Sequence, residues 1–219
     1  LEFRRVLFRS FLALALHKKF LEIGRPRELR PTCNVSWYIQ TDACYDPDDT
    51  QIFAGVGGVL FTPEGKPVQF FSQRLSEQMI ADLNPGSRKT AIFECEFLAL
   101  FCAMLIWGSS VSAVVVYTDN NAVRDAMISC HTTNNVAKKI LIATLSLESE
   151  LQLAPWYARV PTDSNMADNP SRLTTSPLLK MGAKQCEVCV EECWRVLVTR
   201  AESWGEQQVT RAPQFKSVL

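Results

Sequence analysis

Four carboxylates, Asp42, Glu96, Asp119 and Asp168, stand where they could act together on one chemistry. Asp42 follows the strand-like run Trp37-Tyr38-Ile39-Gln40-Thr41, and Asp119 follows Val114-Val115-Val116-Tyr117-Thr118. An aspartate where a core strand gives way to a helix sits where open α/β sheets keep their ligands. If the two strands lie side by side and parallel, Asp42 and Asp119 meet at one end of the sheet. Glu96 can arrive from a long helix packed across them, and Asp168 from the opening of a late helix. Four such groups cannot all stay ionised within a few ångströms without cations, because like charges raise each other's pKa. Hard, oxygen-only ligands suit Mg2+ or Mn2+, and two close ions are the machinery of in-line phosphoryl displacement. Taken singly, each acid has a blander role open to it. Asp42 and Asp119 could cap strand ends, Glu96 could be a solvated helix position, and Asp168 could be a charge favoured at a helix N-terminus.

The elements that must position these acids follow from pattern. Residues 36–41 and 54–61 read as strands, the second thinned by Gly55, Gly57 and Gly58 so that neighbouring backbone can approach closely. Pro63-Glu64-Gly65-Lys66 is a hairpin turn and residues 68–72 a third strand, which makes an antiparallel meander. A helix is expected over 90–107, ending at Gly108, with Phe93, Phe97, Leu100 and Met104 as its large apolar stripe. Glu96, Ala99 and Ala103 lie on a neighbouring face, and Glu94 points away from Glu96, about 200° around the axis. The run 114–118 reads as a strand buried on both faces, followed by Asn120 and Asn121 as caps of a helix over 122–129. A further helix begins at Thr133-Asn134 with Val136, Ile140, Ala143, Leu147 and Leu151 on one face, and residues 156–160 form a fifth strand. Residues 11–23 have helical spacing and stop at Gly24, residues 25–31 read as an extended linker, and a last helix is expected over 186–204.

Lys plus Arg number 23 and Asp plus Glu number 23, so any nucleic-acid surface must be a local basic patch. Eight cysteines without a framework-like pattern, two of them inside the apolar helical run, point to an intracellular reducing compartment, cytoplasm or nucleus. Cys186, Cys189 and Cys193 would share one helix face, which favours packing over zinc. The apolar run 97–107 is too short to span a membrane, and no membrane partner is expected.

Four stretches in order resemble the four motifs of ribonuclease H: Thr41-Asp42-Ala43-Cys44, Glu96-Phe97-Leu98-Ala99-Leu100, Tyr117-Thr118-Asp119-Asn120-Asn121, and Asn165-Met166-Ala167-Asp168-Asn169-Pro170-Ser171-Arg172. With Arg159-Val160-Pro161 before it, the last is most similar to ribonuclease H domains of retroelement reverse transcriptases, particularly DIRS-like elements and hepadnaviruses. The resemblance implies an α/β ribonuclease H-like fold. Its five-stranded mixed sheet would join the three-strand antiparallel meander to two parallel strands, flanked by helices. It implies an endoribonuclease that cuts the RNA strand of RNA–DNA hybrids with two Mg2+ (or Mn2+) ions held by Asp42, Glu96, Asp119 and Asp168. Asn121 occupies the position of a residue that reads the hybrid's minor groove, and Cys44 is a second candidate substrate contact. Some relatives carry a histidine before the last aspartate; here Val160 to Asn165 has none.

In residues 1–10, Leu1-Glu2-Phe3 and Arg5 to Ser10 themselves look like translated cloning and adaptor sequence, and the ribonuclease H resemblance makes 11–34 the end of a polymerase connection with its linker. Residues 35–175 would be the ribonuclease H domain and 176–219 a helical extension with a disordered end. The expected partners are the hybrid and a reverse transcriptase polymerase in the same polyprotein. Two other functions remain open: a catalytically inactive module of this fold from a decayed element, and a related-fold DNA nuclease or integrase.

Overall fold

The computed structural model describes residues 36–47, 52–111, 113–153 and 155–209. The helix expected over 11–23 lies outside them. Strands β1 (Trp37–Pro47), β2 (Ile52–Phe61) and β3 (Pro67–Arg74) form the antiparallel meander. The turn between β2 and β3 places Gly65 at φ 80°, a conformation glycine adopts at no steric cost. Helices α1 (Glu77–Leu83) and α2 (Ile92–Trp107) follow, then β4 (Val114–Thr118), α3 (Asn121–Ser129), α4 (Asn135–Leu151) and β5 (Trp156–Arg159). The chain continues through the one-turn helix α5 (Asp168–Ser171), α6 (Ser176–Lys180), β6 (Lys184–Gln185) and α7 (Val190–Val209). The sheet order is β5-β4-β1-β2-β3-β6, with β1, β4 and β5 mutually parallel.

The mixed sheet flanked by helices is the expected architecture, with six strands where five were expected. The sixth, β6, pairs parallel to β3 through only two residues, too few to show a period in sequence. Helix α1, also unexpected, is capped by Ser76, whose side chain accepts from the Met79 amide. β1 runs on past Asp42 to Pro47, so Asp42 lies within the strand and not at its end. β4 alternates buried and half-buried residues, so it is fully covered on one face only.

α2 departs most from its expected amphipathic stripe. Every residue from Glu94 to Met104 is buried, because the helix lies between the sheet and a second layer formed by α4 and α7. A helix apolar all round belongs in such a place. The segment Ile92–Ser110 is in fact long and apolar enough by composition to cross a membrane, which corrects the expectation that none was. Here 72% of it is buried inside the protein, and it serves as the core helix. The cysteine trio is also arranged differently: Cys186 follows β6, Cys189 precedes α7, and only Cys193 lies on that helix. Among the described residues the three do not form a cluster able to hold a metal.

The other face of the sheet carries a smaller core, in which Val59, Phe61 and Phe70 pack against Ala167 of the α5 segment and Leu178 of α6. Close approach here depends on absent side chains in β2. A Cβ on Gly57 would stand 2.5 Å from Ser171 N and 2.8 Å from Pro170 C, and one on Gly55 would stand 2.2 Å from Ser171 O. These are backbone atoms of a stitched segment and cannot swing aside. Gly57→Ala should therefore destabilise the protein by about 1–3 kcal/mol, the usual cost of overpacking. Urea unfolding would show it as a lower midpoint at unchanged slope. An unchanged midpoint would mean that α5 is not seated on β2.

Candidate active site

The parallel ladder of β1 and β4 sets the first two acids. Gln40 pairs with Tyr117 at its end, and the same register carried two residues further places Asp119 beside Asp42. Asp42 belongs to the β1 face that looks toward α5, since Ile39 and Ala43 face the larger core. It is 6% exposed, and Ser171 Oγ donates to its Oδ2 at 2.8 Å.

Glu96 enters from the first turns of α2 and is 7% exposed. Thr118 Oγ1 donates to its Oε2 at 3.3 Å and Asn120 Nδ2 to its Oε1 at 3.1 Å. The same Asn120 caps α3, its Oδ1 accepting from the Ala122 amide at 2.8 Å. One side chain thus fixes both the start of α3 and the orientation of Glu96. Asp42, Glu96 and Asp119 each bring one carboxylate oxygen within 4.8 Å of the others.

Burial and crowding show in the protonation of these groups. Asp42 is pushed up to about 7, chiefly by desolvation and further by the charges of Asp119 and Asp168, against the Ser171 hydrogen bond. Glu96 is pushed up to about 8 by desolvation, with Asp119 and Asp42 adding to it and Asn120 opposing.

Asp168, the first residue of α5, stands outside this mutually close set, although its charge reaches Asp42. Its Oδ1 accepts from Arg172 Nε at 3.0 Å. The segment around it is sewn to the sheet at several points. Asn165 Nδ2 donates to Thr41 O at 3.1 Å, the Met166 amide to Gln40 Oε1 at 2.7 Å, and Ser72 Oγ to Pro170 O at 2.6 Å.

The two other sequence candidates fare differently. Asn121 is the exposed first residue of α3, while the cap is Asn120. Cys44 is buried and its Sγ donates to Ser171 O at 3.0 Å, so it fastens α5 to β1 and offers no surface to a ligand. Burial pushes its thiol up to about 11. Glu94 turns away from the site, as its helical angle required, and is bound by Arg88 and Asn134. Thr118, Asn120, Ser171, Asn165 and Gln40 were not singled out from sequence as supports of the acids. Thr118 and Asn120 flank Asp119, and Ser171 follows Asp168 by three, so adjacency was the available signal.

The donor set fits a hard divalent cation. It is all carboxylate oxygen, burial and neighbouring charges raise two of the acids so that a cation would compete with protons there, and the nearby thiol is pushed up and turned inward.

No protein-family model matches the chain, and no curated protein matches it. Solved structures do. RNase H1 from the halophilic archaeon Halobacterium salinarum matches with TM-score 0.50 at 16% identity, over 65% of this chain and 98% of that one. LC11-RNase H1, isolated from compost by a metagenomic approach, matches in its complex with an RNA/DNA hybrid with TM-score 0.50 at 16% identity, over 66% of this chain and 99% of that one. The foamy viral protease-reverse transcriptase in complex with an RNA/DNA hybrid matches with TM-score 0.47 at 16% identity, over 70% of this chain and 21% of that one. The fold is ribonuclease H-like.

The raised carboxylates make stability depend on pH with a definite sign. Unfolded, Asp42 and Glu96 release protons near their ordinary 3.8 and 4.5; folded and cation-free, they keep them to about 7 and 8. Between those limits the folded state binds more protons, so their contribution is full at low pH and is lost as pH rises. A divalent cation takes only the ionised forms, so its stabilisation should grow over the same interval. Melting of the cation-free protein minus that of an Asp42→Asn, Glu96→Gln variant should fall from pH 5 to pH 8, while the Mg2+-induced shift of the native protein rises. A pH-independent Mg2+ shift would contradict this assignment.

Proposed function

We propose that this chain is the hybrid-cutting nuclease of a retroelement reverse transcriptase: an endoribonuclease that hydrolyses the RNA strand of RNA–DNA hybrids with two Mg2+ or Mn2+ ions. The observation that carries the reading is the convergence of Asp42, Glu96 and Asp119, in the order of the motifs, at the carboxyl end of a parallel strand pair. The LC11-RNase H1 structure with its RNA/DNA hybrid, on the same fold, supports the substrate class. The wording of the last motif, 165–172, supports the retroelement context, in which residues 11–34 would belong to a polymerase connection and linker in the same polyprotein. Such an enzyme would work in the cytoplasm or nucleus.

Asp42, Glu96, Asp119 and Asp168 would hold the ions. Bound there, the ions would activate water for in-line attack on the phosphodiester and offset the charge on the departing oxygen. The chain's own residues prepare the site for that chemistry. Ser171 orients Asp42, and Thr118 with Asn120 orients Glu96, so the ligands need little rearrangement to receive a cation. Asn121, exposed two residues after Asp119, would donate or accept at the edge of a docked duplex. Discrimination against DNA would come from contacts to the 2′-hydroxyl that DNA lacks.

The purified chain with Mg2+ should cut the RNA of a labelled hybrid and leave duplex and branched DNA intact. Asp119→Asn should lower that rate by at least about a hundredfold with the fold retained, since even groups behind a ligand cost ten- to a hundredfold. Preferential cutting of branched or duplex DNA would assign the site to a DNA nuclease. An intact fold that cuts none of the three would assign the chain to an inactive module.

A further inference from the structure

Arg172 touches two acids at once. Its Nε donates to Asp168 Oδ1 at 3.0 Å and its Nη1 to Asp46 Oδ2 at 3.2 Å. Asp168 opens α5, for which Arg172 is the C-terminal cap, while Asp46 lies near the end of β1, the strand that carries Asp42. The guanidinium therefore ties the fourth acid to the strand of the first. Burial does not hold Asp168, whose side chain is 41% exposed; Ser171 and Cys44, which fasten the rest of α5, do not touch its carboxylate. What fixes it is a planar, two-pronged donor with both prongs engaged. Among the described residues Asp168 Oδ2 takes no hydrogen bond, so one oxygen stays available.

We propose that Arg172 is the positioning residue of the fourth carboxylate. It grips Asp168 by Oδ1, leaves Oδ2 for a divalent cation, and so joins Asp168 to the ligand set of Asp42, Glu96 and Asp119. The proposal rests on the metal-dependent function above and adds to it the group that sets the cation affinity of Asp168. Two simpler roles for the same arginine predict different signs. A bare positive charge beside a cation site repels the ion, so its removal would tighten binding. An arginine devoted to a backbone phosphate would change hybrid affinity and leave ion binding alone.

The test is Mn2+ binding to the full chain without nucleic acid, measured by calorimetry and by electron paramagnetic resonance. R172A and R172K should both weaken Mn2+ binding by about two- to fivefold, the range of one exposed ion pair. The alanine variant should do so despite losing a positive charge. The lysine variant should do so because a single ammonium cannot span Asp168 and Asp46 as the fork does. In an Asp168→Asn background, R172A should produce no further loss, since the effect runs through Asp168. Tighter or unchanged Mn2+ binding in R172A overturns the proposal. An equal loss in the Asp168→Asn background, or a defect confined to hybrid affinity, overturns it as well. Wild-type protein that binds no Mn2+ overturns the proposed function and this assignment together. Wild type that binds Mn2+ and cuts hybrid, beside an R172A that binds normally, overturns only the role of Arg172.

Discussion

Everything at this site depends on one constraint that the fold imposes: three carboxylates are held with oxygens within 4.8 Å of each other, two of them almost wholly buried, so that lost solvation first and mutual repulsion second oppose their charges. Left to themselves, such groups would separate or unfold the segment that carries them. The parallel register of β1 and β4 fixes Asp42 and Asp119, and the core helix α2 fixes Glu96. The cost is lowered in two ways. Asp42 and Glu96 keep protons well above the usual carboxylate range, and hydrogen bonds from Ser171, Thr118 and Asn120 support the charged forms. A site of this kind is poised for a divalent cation, which replaces the protons and turns repulsion into shared attraction.

The rest of the architecture keeps that cluster rigid. α2 is buried on all sides, between the sheet and the α4–α7 layer, so Glu96 cannot drift without disturbing the core. On the opposite face the short α5 has no long helix to brace it. It is held by the missing side chains of Gly55 and Gly57 and by bonds from Asn165, Met166, Ser72 and Cys44. Backbone contacts thus locate α5, while the exposed Asp168 side chain depends on Arg172.

Much of this is legible in the sequence because it rests on strong local signals. Val114 to Thr118 followed by an aspartate, the glycine-thinned second strand and the apolar run 92–107 each specify their element, while the convergence of the acids comes from the resemblance of the four motifs to ribonuclease H. The features that are not legible there are set by tertiary context. A two-residue β6 has no periodicity, and α2 is recognisable as buried all round only once α7 is seen to cover it. Cys44 shares its face with Asp42 by simple alternation, but that α5 covers it follows from the packing of Ser171 on Gly55. Asn120 looks like a cap in the sequence, and it is one; its second bond to Glu96 depends on where α2 passes.

The most direct measurement of the central claim is anomalous scattering from Mn2+ soaked into crystals of this chain. A peak within coordinating distance of Asp42, Glu96 and Asp119, lost in an Asp119→Asn crystal, is the predicted result. Full-occupancy Mn2+ elsewhere on the protein, with no peak among these three carboxylates, would contradict it.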